Sequence, residues 1–461
     1  MDKKGGLLVI CATILVLIFV GTASAMTWNV DDDGGGTFSG IQNAINNASM
    51  GDTILVHSGV YYENVYVNKS VTLKGMGYPV VAANGSGSAI TLNADGITLE
   101  GFKATNSGSL WDCAGIRVIS GNNTITGNNV YNNSDGISVD SSSNNSITGN
   151  NASNNNGDGI SISDSCNNTI TDNNVSSNSN VGIYLSGDSS NNAITDNNVG
   201  NNSNVGIWLS SFVLFPFNNT ITDNNVRNNN GGIYLSRSSN NSIKGNHVGD
   251  NNDDGISISR STNNSITGNT FVNDGLSVDD SYQNTVEGNI VNGKPLVYLV
   301  DASNYTVEDA GQVILVNCTN ITVENLDLAN TSVGVELWTT EDSKVLNNTV
   351  NNNGNGISLS RSSNNSITGN NVNNNSIGGI SLWNSCNNTI TGNNVCNSSI
   401  GGISLWDSCN NNTITGNTFV NCGLFVFEHY QNAVGDNTVN GKPLVYLVDA
   451  SEYTVEDAGQ V

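Results

Sequence analysis

Positive charge is what this chain has least of. Its 461 residues hold 14 Lys and Arg against 39 Asp and Glu, a net charge of -25. Neither a phosphate backbone nor an anionic headgroup would meet a basic patch, which excludes nucleic-acid partners and electrostatic attachment to a membrane surface. Histidine occurs three times, at His57, His247 and His429, and Met four times. Copper-type sites gather imidazole or soft sulfur, so these scattered donors predict no bound metal and no cofactor. Long apolar runs are also missing, with one exception. Leu7 to Val20 is about 14 residues, short for a spanning helix. Preceded by Lys3 and Lys4 and followed by Ala23-Ser24-Ala25, it reads as an export signal over residues 1–25. Contact with a membrane is expected only through that segment, whether cleaved or kept as an anchor. The mature chain is therefore expected to be secreted or at the cell surface.

Cysteine is sparse and odd in number once Cys11 leaves with the signal: Cys113, Cys166, Cys318, Cys386, Cys396, Cys409 and Cys422. No C-x-x-C occurs and no His lies near these residues, so a zinc site is not indicated. Cys386 and Cys409 both stand in an S-C-N-N slot one repeat apart, and a disulfide between adjacent coils is the expectation for them. The plainer alternative is buried turn thiols.

Helical periodicity is absent from the body of the chain, and a repeat takes its place. Between Asn122 and Asn417 the pattern N-N-[ST]-I-T-[GD]-N-x-V, then G-I-x-[LIV], recurs around Ile125, Ile147, Ile170, Ile194, Ile221, Ile243 and Ile266. It returns at Ile367, Ile390 and Ile414. Steps of 22 to 27 residues mean a stacked solenoid. Each unit holds two short strand-like runs between Asn- and Gly-rich turns, and alternation in G-I-S-L sends Ile and Leu to one side. The prediction is an all-β, single-stranded right-handed parallel β-helix with coils of about 22–24 residues. About eighteen turns would form a rod on the order of 85 Å long. Asn suits its corners because it tolerates the left-handed backbone, and stacked Asn side chains bond along the rod.

Two stretches depart from the array. In residues 27–76, Phe38, Ile41, Ala44, Ile45 and Ala48 share a helical face, predicting a short N-terminal capping helix over the first coil. The Val-rich cassette N-G-K-P-L-V-Y-L-V starting at Asn292 recurs from Asn440, a superperiod of 148 residues, and its second copy reaches Val461. That copy stops inside the repeat, so the sequence leaves open whether a cap, anchor or further domain follows. The organisation read from these features is a signal at 1–25, and cap plus first coils at 26–120. A first repeat block follows at 121–291, then cassette plus second block at 292–439, and the start of a further cassette at 440–461.

The cap V-D-D-D-G-G-G-T-F-S-G-I-Q-N-A-I, with G-D-T-I-L-V and K-S-V-T-L-K-G after it, resembles the start of the pectin-lyase-like superfamily. The N-N-S-I-T-G-N repeats and the N-G-K-P-L-V-Y-L-V cassette resemble the NosD-type periplasmic copper-binding β-helix domain. They are similar also to carbohydrate-binding and sugar-hydrolase repeats of surface proteins. The resemblance implies fold over nearly all of the mature chain and leaves activity open, since these motifs encode coil geometry.

Carbohydrate recognition has the clearest residue pattern. The outward slot of G-I-x-L is mostly Ser, but Tyr184, Trp208 and Tyr234 fill it in three consecutive coils, predicting an exposed aromatic row that could stack on sugar faces. Trp383 and Trp406 predict a second row, with Trp338 in a similar place; cross-strand packing is the alternative use of such rings. Beside Tyr234, Phe212 to Phe217 read as an apolar loop. For an enzyme, Asp279-Asp280 is the best carboxylate pair, while Asp135, Asp158 and Asp254 and the Arg237, Arg260 and Arg361 row read as corner residues. Cys386, Cys396, Cys409 and Cys422 are the only gathered soft donors for copper. Numerous N-x-[ST] sequons, such as Asn122 and Asn144, fit an exported glycoprotein, although glycans on adjacent coils would crowd at about 5 Å. The reading is an extracytoplasmic, non-catalytic β-helix protein in a structural or adhesive role, its partner a polysaccharide or cell-surface glycan. A polysaccharide lyase or glycoside hydrolase is the alternative, and a copper-handling protein the third.

Overall fold

Every repeat carries an Ile or Val that must leave water and Asn residues that must bend the chain, and together these close the coil. The computed structural model describes residues 25–281, 283–427 and 431–461. The segment read as an export signal lies outside these, apart from Ala25, as does His429. The isoleucines of the repeat are fully buried, from Ile125 to Ile414. Their strands pair in parallel with the same slot one coil on, as in Ile125↔Ile147 and Ile390↔Ile414.

Three such stacks form the first solenoid segment. A 12-stranded sheet runs from Thr27–Val30 to Thr285–Glu287 and a 10-stranded one from Val65–Val67 to Leu276–Asp279. A third runs from Val60–Tyr61 to Ile290–Val291. The N-N dipeptide divides two tasks. Its first Asn holds a corner at positive φ, 57° at Asn122 and 62° at Asn144. Its second is buried and forms a ladder: Asn123 N–H donates to Asn145 Oδ1 at 2.9 Å, and Asn145 N–H to Asn168 Oδ1 at 2.9 Å. Parallel ladders run through Asn128–Asn150–Asn173 and Asn133–Asn155–Asn178. Buried backbone donors at each corner are thereby satisfied without water.

The capping helix forms at Ile41–Asn47 and buries Ile41, Ala44 and Ile45. Its exposed N–H groups are met by Glu63, whose carboxylate accepts from Ile41 and Gln42 at 2.9 Å each. Lys69 Nζ donates to the carbonyls of Ile45, Asn46 and Ala48 at the other end. Both charges match the helix dipole. Phe38 and Ala48 flank the helix rather than lying in it. The expected apolar loop is also different: its backbone continues one strand, Val205–Pro216, paired with Gly231–Ser239 around an irregularity between Ser210 and Phe215.

The stack is not one straight rod. At the Asn292 cassette a tight turn, with φ of 51° at Asn292 and 83° at Gly293, reverses the chain. Val291 then pairs antiparallel with Lys294. A second segment starts here, its sheets running from Lys294–Val300 to Leu424–Val426 and from Ser303–Val307 to Ala433–Gly435. The strand Gln312–Val316 is buried on both faces. Val313 and Leu315 belong to the second core, whereas Ile314 and Val316 pack into the first. The end of the first segment thus abuts a side face of the second, and the two meet at an elbow. Gln312 seals it: Oε1 accepts from Leu276 N–H at 2.9 Å and Nε2 donates to Leu276 O at 2.7 Å. Gln460 repeats both bonds on Leu424.

Candidate functional site

The elbow leaves a groove whose floor is the outward face of the second segment's first sheet. Strands of the form G-I-S-L-W turn Ile and Leu inward, so Ser and Trp face out. Trp338, Ser360, Trp383 and Trp406 occupy one register row on successive turns. Trp383 is 49% exposed. Trp406 is half-buried between Phe425 and Phe427, at 4.8 and 5.8 Å between ring centres. Arg361 lies over the Trp338 ring at 4.8 Å, a cation–π contact that fixes both side chains. Trp338, Ser360, Arg361, Trp383 and Trp406, together with Asp279, Asp280, Ile377 and Ile400, line a cavity of about 570 Å³. That is within the range of small-molecule sites.

Beyond the shared residues Asn355, Ser358 and Ile377, the groove opens into a second cavity of about 520 Å³ with a different lining. Asp253, Asp254, Asp274 and Glu336 face it among Asn and Ser side chains. Burial pushes the Glu336 carboxyl up to about 8, helped by the negative charges of Asp254 and Asp279. Asp274 rises to about 7 and Asp254 rises also, both chiefly through desolvation. Glu336 was not anticipated from the sequence. Its signal was there: it stands in the outward slot that Ser358 and Ser381 fill on the next turns.

The first aromatic row forms in the expected register, Tyr184↔Trp208↔Tyr234. Its rings are half-buried rather than exposed. Tyr184 and Trp208 tilt together at 5.4 Å, and Tyr234 Oη donates to Asp253 at 2.9 Å. Much of each ring is spent on its neighbours, and the row lines neither of the groove's cavities.

The expected disulfide is not formed. Cys386 and Cys409 are both free thiols. An extra Asn in S-C-N-N-N moves Cys409 one position, into the buried slot of Ser385, whose N–H donates to its Sγ at 3.3 Å. Cys386 remains on the outer corner and donates to Ser408 O at 2.9 Å. Asp135 opens the strand Asp135–Asp140 and Asp158 lies just before Ile160–Ser163; Asp158 N–H donates to Asp135 Oδ1, and Asp158 Oδ1 accepts from Val181 N–H. Arg237, Arg260 and Arg361 hold corners at φ of 49° to 51°.

Among the described residues, no helix is long and apolar enough to cross a membrane. The model of the family described as periplasmic copper-binding protein (NosD) matches residues 45–213 and 297–457, and that of the right-handed beta helix region matches residues 211–311. A cell surface glycoprotein of Methanothermus fervidus is 44% identical over 69 residues, which is 14% of this chain and 12% of that protein. The chain thus matches about an eighth of the length of this relative. Among solved structures, XylC in complex with xylose aligns with a TM-score of 0.42 at 13% identity, covering 55% of this chain and 70% of that one. Pectate lyase Pel9A aligns with a TM-score of 0.37 at 14% identity, covering 58% and 80%.

The copper in the family's description finds no fitting donor set among the described residues. His57 and His247 sit in different turns of the first segment. The thiols of Cys396, Cys409 and Cys422 are raised by burial, and those of Cys409 and Cys422 donate to backbone carbonyls at 3.0 and 3.2 Å. Among the described residues, the one group of three close acidic donors is Asp31, Asp32 and Asp33, all hard oxygen. With family matches over well more than half its length, the chain belongs to the NosD family of right-handed parallel β-helix proteins.

Proposed function

We propose that this is an exported, cell-surface or extracellular β-helix protein. Its work is spacing or adhesion, with carbohydrate bound in the elbow groove. The observation that carries the reading is the groove itself: an exposed Trp383, next to Trp406 and two turns from Trp338, lines one cavity with an arginine and two carboxylates. Flat rings beside hydrogen-bonding groups suit the apolar faces and hydroxyl edges of sugars. The similarity to a cell surface glycoprotein and the sequon-rich corners support an extracytoplasmic setting. Trp383→Ala should weaken retention on an immobilised polysaccharide about tenfold, the scale of one stacked ring. Unchanged retention across a glycan array for Trp383→Ala and Trp406→Ala would remove the reading.

A second reading, glycoside hydrolysis, is favoured by one observation. Glu336, raised to about 8, stands close enough to feel Asp254 and Asp279, an arrangement that can supply a general acid beside a carboxylate. Release of reducing ends from a polysaccharide panel, abolished by Glu336→Gln, would establish it.

A further inference from the structure

The N-x-[ST] sequons that are numerous in the sequence do not stand alike in the fold. In each N-N-[ST] unit the first Asn is the outer corner, the second turns into the buried ladder, and the Ser or Thr comes back out. Asn122, Asn144 and Asn167 are exposed on consecutive coils, whereas Asn123, Asn145 and Asn168 are buried. Thr124, Ser146 and Thr169 open the strands that follow and face outward. Both groups by which a sequon is read, the amide nitrogen and the hydroxyl two residues on, thus lie on one outer side. Among the described residues, none accepts a hydrogen bond from the amides of these three corners. Asn218 and Asn263, and Asn364, Asn387 and Asn411 in the second segment, are exposed and free in the same way.

Other sequons are just as exposed but already bonded. Asn174 begins N-V-S, Asn320 N-I-T and Asn397 N-S-S. Their Nδ2 atoms donate to the Oδ1 of Asn151, Asn304 and Asn374 on the coil before, at 2.8, 2.8 and 3.0 Å. A sugar on that nitrogen would be wedged between coils about 4.8 Å apart and would break the bond. Exposure does not separate the two classes. The state of the amide does.

We propose that the corner row is an N-glycosylated edge of this protein, and that the bonded sequons stay bare. The proposal rests on the extracytoplasmic reading above and names the residues that carry the sugar. The donor is an oligosaccharide held on a polyprenyl phosphate, transferred by a membrane oligosaccharyltransferase. The bond from Asn Nδ2 to the sugar C1 forms as the bond from C1 to the phosphate oxygen breaks. The lipid phosphate leaves with the electron pair, and the amide loses one proton. Adjacent acceptors stand about 4.8 Å apart, too close for a glycan on every coil. The row also has a gap, since Asn191 holds the same corner but Ala193 stands where the hydroxyl would be. Any one molecule therefore carries sugar on alternate coils.

The test gives the folded full chain to a purified single-subunit oligosaccharyltransferase with a lipid-linked oligosaccharide, and maps each site by glycopeptide mass spectrometry. Corner sites should be filled at least about fivefold more than Asn174, Asn320 and Asn397, the scale of one net hydrogen bond. A proteolytic digest of the same chain, in which no ladder survives, should lose that difference. Asn151→Ala, which removes the acceptor of the Asn174 amide, should raise Asn174 towards the corner level. Should that variant misfold, the folded chain against its digest decides alone. Equal filling of the two classes in the folded chain overturns the assignment, as do corners filled only after digestion. A second arm expresses the chain in a glycosylating host, under its own residues 1–25 or under the host's leader. Corner glycans under the host's leader alone support the sites and overturn the export reading. No corner glycan under either leader overturns the sites.

Discussion

At the scale of single residues, the ladders reveal how one substitution is tolerated. Asn251 closes the third ladder of the first segment on Asp274, donating to its Oδ2 from Nδ2 at 2.8 Å and from the backbone at 3.3 Å. Every earlier Asn in that ladder also gives Nδ2 to a carbonyl one coil back, as Asn251 does to Val226 O at 3.3 Å. Asp274 has no amide to give, and its Oδ1 is buried without a partner. In the second segment Cys422 follows the same ladder and donates its thiol to Val395 O. A neutral Asp274 carboxyl restores the missing donor, consistent with a pKa moved from 3.8 to about 7. Below pH 3.8 the carboxyl is neutral whether the chain is folded or not, and its contribution is complete. Between there and about 7 only the folded chain keeps the proton, so stability falls as pH rises; above 7 the penalty is constant. Asp274→Asn should therefore stabilise by roughly 1–3 kcal/mol at pH 8 and change little at pH 3.5. Thermal melts at the two pH values check it, and an equal shift at both would contradict the ladder account. The repeat made the buried Ile and the corner Asn legible from spacing. The split between corner and ladder Asn was not, because the two residues are adjacent and chemically identical.

Among elements, the elbow depends on one strand serving two cores. Gln312–Val316 gives Val313 and Leu315 to its own segment, and Ile314 and Val316 to the other. Gln312 adds a pair of bonds to the open edge at Leu276, a device against unpaired strand ends. Replacing it by Leu leaves a buried N–H and C=O of Leu276 unmatched, which should cost about 2–4 kcal/mol. The cost should fall locally: hydrogen exchange should quicken at Leu276–Asp279 and leave Ser366–Thr368 unaltered. Uniform quickening across both segments would refute a local seal. The cassette announced itself in the sequence through Val and Leu runs on both sides of alternation, which is how a strand buried on two faces reads. That it turns the solenoid was hidden, since the reversal needs only Asn292-Gly293, in a chain where Asn and Gly mark almost every corner. The groove was hidden for the same reason. Asp279, Trp338 and Trp383 are far apart in sequence and come together only because the elbow folds one segment's end against the other's side.

For the whole molecule, the cassette makes the superperiod a joint rather than a coil variant. At the second cassette, Asn440 and Gly441 take φ of 51° and 79°, Val439 pairs antiparallel with Lys442, and Gln460 meets Leu424 as Gln312 meets Leu276. One superrepeat is thus one solenoid segment plus one bend. The 12 strands of the first segment's longest sheet span about 55 Å, and the seven of the second about 30 Å, at the usual spacing between parallel strands. Laid end to end they make the straight rod of about 85 Å that coil counting predicts. Bent at the elbow, the same turns must be shorter overall. Small-angle scattering on the chain from Ala25 onward should therefore give a maximum dimension clearly below that of a straight solenoid of equal turn number. It should also give a pair-distance distribution with two arms rather than one linear tail. The bend should survive high salt, because Ile314, Val316 and Gln312 hold it through packing and neutral hydrogen bonds, which a screened net charge of -25 does not touch. A profile that straightens on raising the salt would assign the elbow to electrostatics. A straight profile at every salt concentration would remove both the elbow and the groove it creates.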